Sequence, residues 1–310
     1  MRRNLRQRAA HPSSERGFII IAVLWILAAL SALATIFSVY LSNSAQALAV
    51  TDAGLQTEAL VSASLELTTY QLLLAGDKAR PAQGSFRFRL DNADVLVTFA
   101  SEAARIDLNS APKEMLANLF EVLGADQKVA GEAAERIVGW RTAPKANAAN
   151  AEEALYAAAG LTYSPRQSLF AHVNELSLVL GVPAALVDRA LPFVTVLSGS
   201  PNVDVLIAAP EVIAALPGMT PAVLNDFLNQ RSVLPRDQAA IAAALGPAQA
   251  NATLPKSKSY RILTSLRFDN GRRTASEVVI ELGGQKEPYQ VLSWQDDVET
   301  ARPSQKLASN

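Results

Sequence analysis

Histidine is the side chain most often able to move a proton near neutral pH, and this 310-residue chain has it only at positions 11 and 172. His172 lies between Phe170 and Val173, and neither a Gly-x-Ser-x-Gly elbow nor a His-x-x-x-His pair accompanies it. Such a setting reads as a helix-flanking or core histidine, so no catalytic residue is assigned and an enzyme is not expected. Cysteine is absent, which excludes disulfides, thiolate metal sites and a thiol nucleophile. Two acid-rich turns, Asp91-Asn92-Ala93-Asp94 and Asp296-Asp297, offer oxygen ligands of the type that hold calcium. Solvated turn residues are the simpler reading, and no other cofactor is indicated.

A second kind of chemistry is phosphate binding. The segment from Asp107 to Leu116 (DLNSAPKEML) finds an echo 97 residues later, from Asp204 to Ile213 (DVLIAAPEVI), with identities at Asp107, Ala111 and Glu114. Each copy reaches a leucine, Leu119 or Leu216, then a turn at Gly124 or Gly218 and a second helix ending in Trp140-Arg141 or Gln230-Arg231. This is a helix-hairpin-helix pattern. DNA-binding hairpins of that kind carry a second glycine that lets backbone N–H groups approach phosphate. Here the turns read Gly124-Ala125-Asp126 and Gly218-Met219-Thr220, and residues 101–250 hold 10 basic against 15 acidic residues. A packing role is therefore expected, and no nucleic acid partner. Between the copies, Val173-Asn174-Glu175-Leu176 and Leu180-Gly181-Val182-Pro183 read as a further helix start and turn.

These residues must be carried by other elements. Residues 85–100 alternate, with Phe86, Phe88 and Leu90 opposite Arg87 and Arg89, then the Asp91–Asp94 turn and a run from Val95 to Phe99: a hairpin. A second hairpin is signalled by Tyr260, Ile262, Leu266 and Phe268, then Asp269-Asn270-Gly271, then Thr274, Val278, Ile280 and Leu282. Its Asn-Gly step predicts a type I′ turn. A short strand follows from Tyr289 to Trp294. The fold class is α+β, a small antiparallel sheet interrupted by an all-helical insertion.

At the N-terminus, Phe18–Leu41 is a run without a charge, long enough to span a bilayer core of about 30 Å as a helix. Arg2, Arg3, Arg6, Arg8 and Arg16 precede it and orient the N-terminus to the cytoplasm. Beyond Gly17 the balance is 23 basic to 28 acidic residues. No proline interrupts the sequence from there to Arg80; Leu48, Leu55, Leu60, Leu65, Leu67 and Leu72 predict a helical stem ended by Gly76 and Pro81.

The border Glu15-Arg16-Gly17-Phe18-Ile19-Ile20-Ile21 resembles the class III leader of type IV pilins and pseudopilins. That resemblance implies cleavage by a prepilin peptidase between Gly17 and Phe18, N-methylation of Phe18, and retention of the helix. Most such proteins carry glutamate at the fifth mature position, where this chain has Ala22. A carboxylate in the membrane is expensive without a partner, and a tip subunit has no neighbour to supply one. The leader, Ala22, Arg105-Ile106-Asp107-Leu108-Asn109-Ser110-Ala111, Ile137-Val138-Gly139-Trp140-Arg141, Val173-Asn174-Glu175-Leu176, the second hairpin at 202–218 and the Pro288-Tyr289 strand together resemble the type II secretion minor pseudopilin family called general secretion pathway protein K. Gly139 and Thr142 stand where that family commonly has acids, and the second copy lacks its Asn-rich text.

The resemblance implies a pilin-like long helix and small sheet with helix-hairpin-helix-like (SAM-like) repeats in the insertion. Its organisation would be a leader at 1–17, a transmembrane helix at 18–41, a periplasmic stem at 42–80, a sheet domain from 81–100 and 256–296, an inserted domain at 101–255 and a tail at 297–310. It implies a non-catalytic subunit of the bacterial inner membrane with a periplasmic body, one that caps the pseudopilus tip and starts its assembly. Implied partners are the I and J minor pseudopilins, the inner-membrane secretion platform and secreted substrates. Some pseudopilins bind calcium. The alternative is a DNA-uptake pseudopilin that binds DNA through the repeats.

Overall fold

The computed structural model describes residues 15–144, 151–252, 257–283 and 287–298. Most of the expected leader and residues 299–310 of the expected tail lie outside them. Contacts divide the chain into residues 1–59 and 60–310.

Helix α1 runs from Glu15 to Leu74. Within it Ile19–Ser44 is long and apolar enough to cross a membrane, and no part of that stretch is buried. Its apolar side chains, such as Ile20, Leu24, Trp25 and Phe37, are exposed. The last part of α1 behaves differently. Val61, Leu65, Thr68 and Leu72, at spacings of four, three and four, are buried. Ser64 and Thr68 on that face donate their hydroxyls back to the carbonyls of Leu60 and Ser64 at 2.8 and 2.7 Å, which makes their burial tolerable. Leu60 is also buried, whereas Leu55 and Leu67 are exposed; the Leu48 side chain lies outside the described residues. The helix stops at Leu74, six residues before the expected Arg80, because Gly76 adopts φ +65°. Arg80 then donates Nε to the Leu72 carbonyl at 3.2 Å, satisfying one of the open groups at the helix end. A short helix α2, Gly76–Ala79, follows.

Strands β1 (Gln83–Leu90) and β2 (Ala93–Ser101) form the first hairpin, and its turn is shorter than the sequence suggested. Only Asp91 and Asn92 connect the strands, with Asp91 at φ +53°; Ala93 and Asp94 already belong to β2. The chain returns to this sheet after residue 258 as β5 (Ser259–Phe268), β6 (Arg273–Leu282) and β7 (Tyr289–Gln295). The order is β1-β2-β5-β6-β7, antiparallel throughout. Because Ser101 pairs with Tyr260, the inserted segment leaves and returns on adjacent strands. One sheet face, with Val95, Val97, Phe99, Ile262, Leu266, Val278 and Ile280, packs with the buried face of α1 as one core. The turn from β5 to β6 is not type I′. That type needs positive φ at both central residues, whereas here only Gly271 is positive, at +85°, and its N–H bonds back to the Phe268 carbonyl at 3.0 Å. Four residues, not two, separate the strands, and a glycine in the left-handed region closes that longer loop.

The insertion has its own core, separate from that of the sheet. It contains β3 (Ile106–Asp107), α3 (Lys113–Val122), α4 (Gln127–Arg141), α5 (Ala151–Ala158), α6 (Ala184–Ala190), β4 (Val194–Thr195), α7 (Pro210–Ala214), α8 (Pro221–Gln230) and α9 (Gln238–Leu245). It is not all helical. β3 and β4 pair in parallel through Ile106–Val194 and Asp107–Thr195, and a matching parallel bridge joins Val203 to Ala252. Two-residue strands are too short to leave a period in the sequence, so periodicity could not reveal them.

Candidate functional site

The residues that stood out in the sequence converge on one polar scaffold inside the insertion. Asp107 is 1% exposed, and its two oxygens accept four hydrogen bonds. Oδ1 takes the Asn109 N–H at 2.7 Å; Oδ2 takes the N–H and hydroxyl of Ser198, both at 3.0 Å, and the Gly199 N–H at 2.8 Å. Asn109 reaches the other way, accepting from the Phe170 N–H at 2.7 Å and donating to the Phe170 carbonyl at 3.0 Å. Glu175 accepts from Trp140 Nε1 at 3.3 Å, and from Arg166 and the Ala171 N–H at 3.0 Å each. Trp140, Tyr156 and Phe170 pack with ring centroids about 6 Å apart. Arg141 ends α4 by donating to the carbonyls of Leu108 and Ala111, the latter at 2.7 Å.

The second copy repeats this wiring. Asp204 Oδ1 accepts the Leu206 N–H at 3.1 Å, and Arg231 donates to the Ala208 carbonyl at 2.8 Å, the position 97 residues after Ala111. Burial raises the Asp204 carboxyl above its ordinary value, partly offset by the Leu206 N–H and by Arg236. Gly124 and Gly218 both sit at positive φ, +91° and +78°, where each first helix turns into its second. α3 packs against α7, and Asn118 donates to the Ala215 carbonyl at 3.2 Å, again 97 residues apart.

Where the insertion meets the sheet, sequence reasoning missed a buried charge cluster. Glu102 is 1% exposed and accepts from Arg261 through Nε at 2.7 Å and Nη2 at 3.1 Å, and from the Thr195 hydroxyl. Arg261 also pairs with Glu277. Burial pushes the Glu102 carboxyl up, but Arg261, with Arg105 and Thr195, outweighs it and holds the carboxyl below the usual range. Arg105 is pushed down by burial and by neighbouring Arg261. No periodicity could have found this group, since its partners lie 93 and 159 positions from Glu102.

The other residues singled out in the sequence have the following places in the structure. His172 caps a 3-10 turn, Val173–Leu178, by accepting the Asn174 N–H on Nδ1 at 3.1 Å. Thr142 donates to the Val138 carbonyl at 2.6 Å, and the space a side chain at Gly139 would occupy is filled by Glu152, within 2.5 Å. Three acids of the acid-rich turns are engaged with other side chains of the protein. Asp94 accepts from Arg89 at 3.1 Å and Arg267 at 2.9 Å, and these arginines, Arg267 first, hold its carboxyl below the usual range. Asp296 accepts from Ser276 and Trp294, and Asp297 from Thr274. Among the described residues no three acidic or histidine side chains converge as a metal would require. Gly17 and Phe18 fall in the first turns of α1 with side chains outside the described residues, and Ala22 is half-buried on α1.

Residues 89–199 match the model of the family described as type II secretion system (T2SS), protein K. The match spans Asp107, Asn109, Trp140-Arg141 and Glu175, so the first part of the scaffold lies within the matched segment; Asp204 and the residues around Gly218 lie beyond it. The fold agrees with a solved complex, GspK-GspI-GspJ from the type 2 secretion system of enterotoxigenic Escherichia coli, one chain of which superimposes with a TM-score of 0.56 at 17% identity, over 79% of this chain and 96% of that one. A search of curated protein sequences gives no match. The apolar helix Ile19–Ser44 fits a transmembrane anchor.

Proposed function

We propose that this chain is a type II secretion minor pseudopilin, the non-catalytic subunit that caps the pseudopilus tip and starts its assembly with the I and J minor pseudopilins. The observation that carries the reading is the protein K match over residues 89–199, set in a fold similar to a chain of a GspK-GspI-GspJ complex. Two features support the tip position. Ala22 supplies no carboxylate for a neighbour closer to the tip, and the inserted segment between β2 and β5 adds a second hydrophobic core to the sheet domain, bulk that suits a cap better than a shaft. Cleavage between Gly17 and Phe18 would leave α1 from Phe18 onward, anchored in the inner membrane with the body in the periplasm.

The paired helices α3/α4 and α7/α8 serve packing in this reading, as helix-hairpin-helix-like repeats turned inward. Phe120, Ile213 and Phe227 from these helices are fully buried, and the arginines that end α4 and α8 are engaged with carbonyls of the insertion itself, not presented to a phosphate. Co-expression of the full chain with its organism's I and J subunits tests the reading. A stable detergent-soluble ternary complex is expected; recovery of I and J together without this chain would overturn it.

A further inference from the structure

The sheet face turned away from α1 carries a feature that the pseudopilin reading does not use. Residues paired across strands share a face, and the register aligns Arg89, Asp94, Arg267 and Arg273 in one row across β1, β2, β5 and β6. The next row on that face is Arg87, Leu96, Ser265 and Ala275. The two rows line a cleft of about 1000 Å³. Four guanidinium groups thus converge on one side of a sheet in a chain whose residues beyond Gly17 are acidic overall.

The arginines are not equivalent. Arg89 is held by Asp94 at 3.1 Å and Asp269 at 2.7 Å, and Arg267 by Asp94 at 2.9 Å. The third acid at the rim, Asp297, accepts from Thr274 at 2.8 Å. Arg87 and Arg273, at opposite sides of the cleft, pair with no carboxylate among the described residues. Like charges gathered on one face repel one another, and Asp94 and Asp269 are committed to Arg89 and Arg267. Arg87 and Arg273 retain their full capacity for the bidentate pairing that guanidinium groups make with carboxylates.

We propose that this cleft docks an acidic segment of a partner polypeptide, with carboxylates on Arg87 and Arg273. The spacing fits such an occupant. Three strand intervals of about 4.8 Å and a two-residue step of about 6.7 Å along the strand put the Arg87 and Arg273 backbones roughly 16 Å apart on a diagonal, and two acids four positions apart on an extended chain, about 13 Å, fall within reach of the two long side chains. A segment lying across the strands therefore needs two acidic side chains four positions apart, with small residues over Leu96 and Ala275. A long polyanion such as nucleic acid is the poorer fit, because it would extend past the cleft over an acidic body. The inference holds whichever assembly the chain serves.

The test uses the full chain in detergent micelles and fluorescein-labelled acetyl-Glu-Ser-Thr-Ser-Glu-amide, read by anisotropy at low salt. The glutamine analogue of the peptide is expected to bind about tenfold more weakly, and Arg87→Gln with Arg273→Gln to lose about tenfold in affinity for the acidic peptide. Reversing both arginines to glutamate should transfer the preference to the lysine analogue. Each single Arg→Gln variant, at an exposed position, supplies the same comparison if the double variant does not fold. Equal binding of acidic and glutamine peptides, no detectable binding of the acidic one, wild-type affinity in the variants, or tighter binding of an oligothymidylate would overturn the proposal.

Discussion

Replacing Glu102 by alanine should destabilise the sheet domain and the insertion together. The carboxylate is 1% exposed and takes two hydrogen bonds from Arg261 and one from Thr195, with Arg105 nearby. Its removal leaves two largely desolvated guanidinium groups with Glu277 as the remaining counter-charge, and Glu277 is 24% exposed. Breaking a buried pair from one side costs about 3–5 kcal/mol, which for a domain of this size lowers the melting temperature by roughly 10 °C. The assay is thermal and urea unfolding of the detergent-solubilised full chain. Glu102→Met combined with Arg261→Met should cost less than Glu102→Ala alone, because no orphaned charge remains on Arg261. The pH dependence has a definite sign. A carboxyl held below its ordinary value of 4.5 in the folded state contributes fully above that value, and its contribution is lost as pH falls through the lower folded value. Glu102→Gln should therefore flatten the acid limb of the stability profile. A loss under about 1 kcal/mol for Glu102→Ala, or strict additivity in the double variant, would refute the reasoning.

Two glycines of α4 should respond oppositely to alanine. At Gly131 nothing lies within 4 Å of an added Cβ, so Gly131→Ala should stabilise by about 0.5–1 kcal/mol through helix propensity. At Gly139 the added carbon meets Glu152, which Arg136 holds at 2.8 Å, so Gly139→Ala should gain nothing or destabilise in the same urea titration. Arg141→Ala strips two carbonyls of a charged donor and should cost about 1.5–3 kcal/mol, with Arg141→Lys recovering only part. Mass spectrometry of the membrane-extracted chain should find an N-terminus at N-methylated Phe18; an intact Met1 would remove the pilin class.

The elements that a period can encode were legible in advance. The uncharged run inside α1 and the alternation of Phe86, Phe88, Ile262, Val278 and Ile280 mark a spine and a sheet face, because helices and half-buried strands bury side chains at fixed intervals. What failed was set by tertiary context. The Asn270-Gly271 step suggested a two-residue turn, but the strands end earlier and a four-residue loop results. The motif residues were legible as a pattern yet not as a device. That Asp107 and Asn109 bind backbone N–H groups drawn from distant loops, and that Glu175 takes the Trp140 indole N–H, appears only when the chain is folded. The arginines at 87, 89, 267 and 273 read singly as the wet side of two strands, and only the register between strands puts them in one cleft.

The central claim is that this chain is a subunit of the type II secretion pseudopilus and is required at its tip. Deleting its gene and measuring exoproteins in the culture medium tests that most directly. The account predicts that exported enzymes accumulate in the periplasm and that the full-length gene restores their release, whereas unchanged secretion in the deletion strain would contradict it.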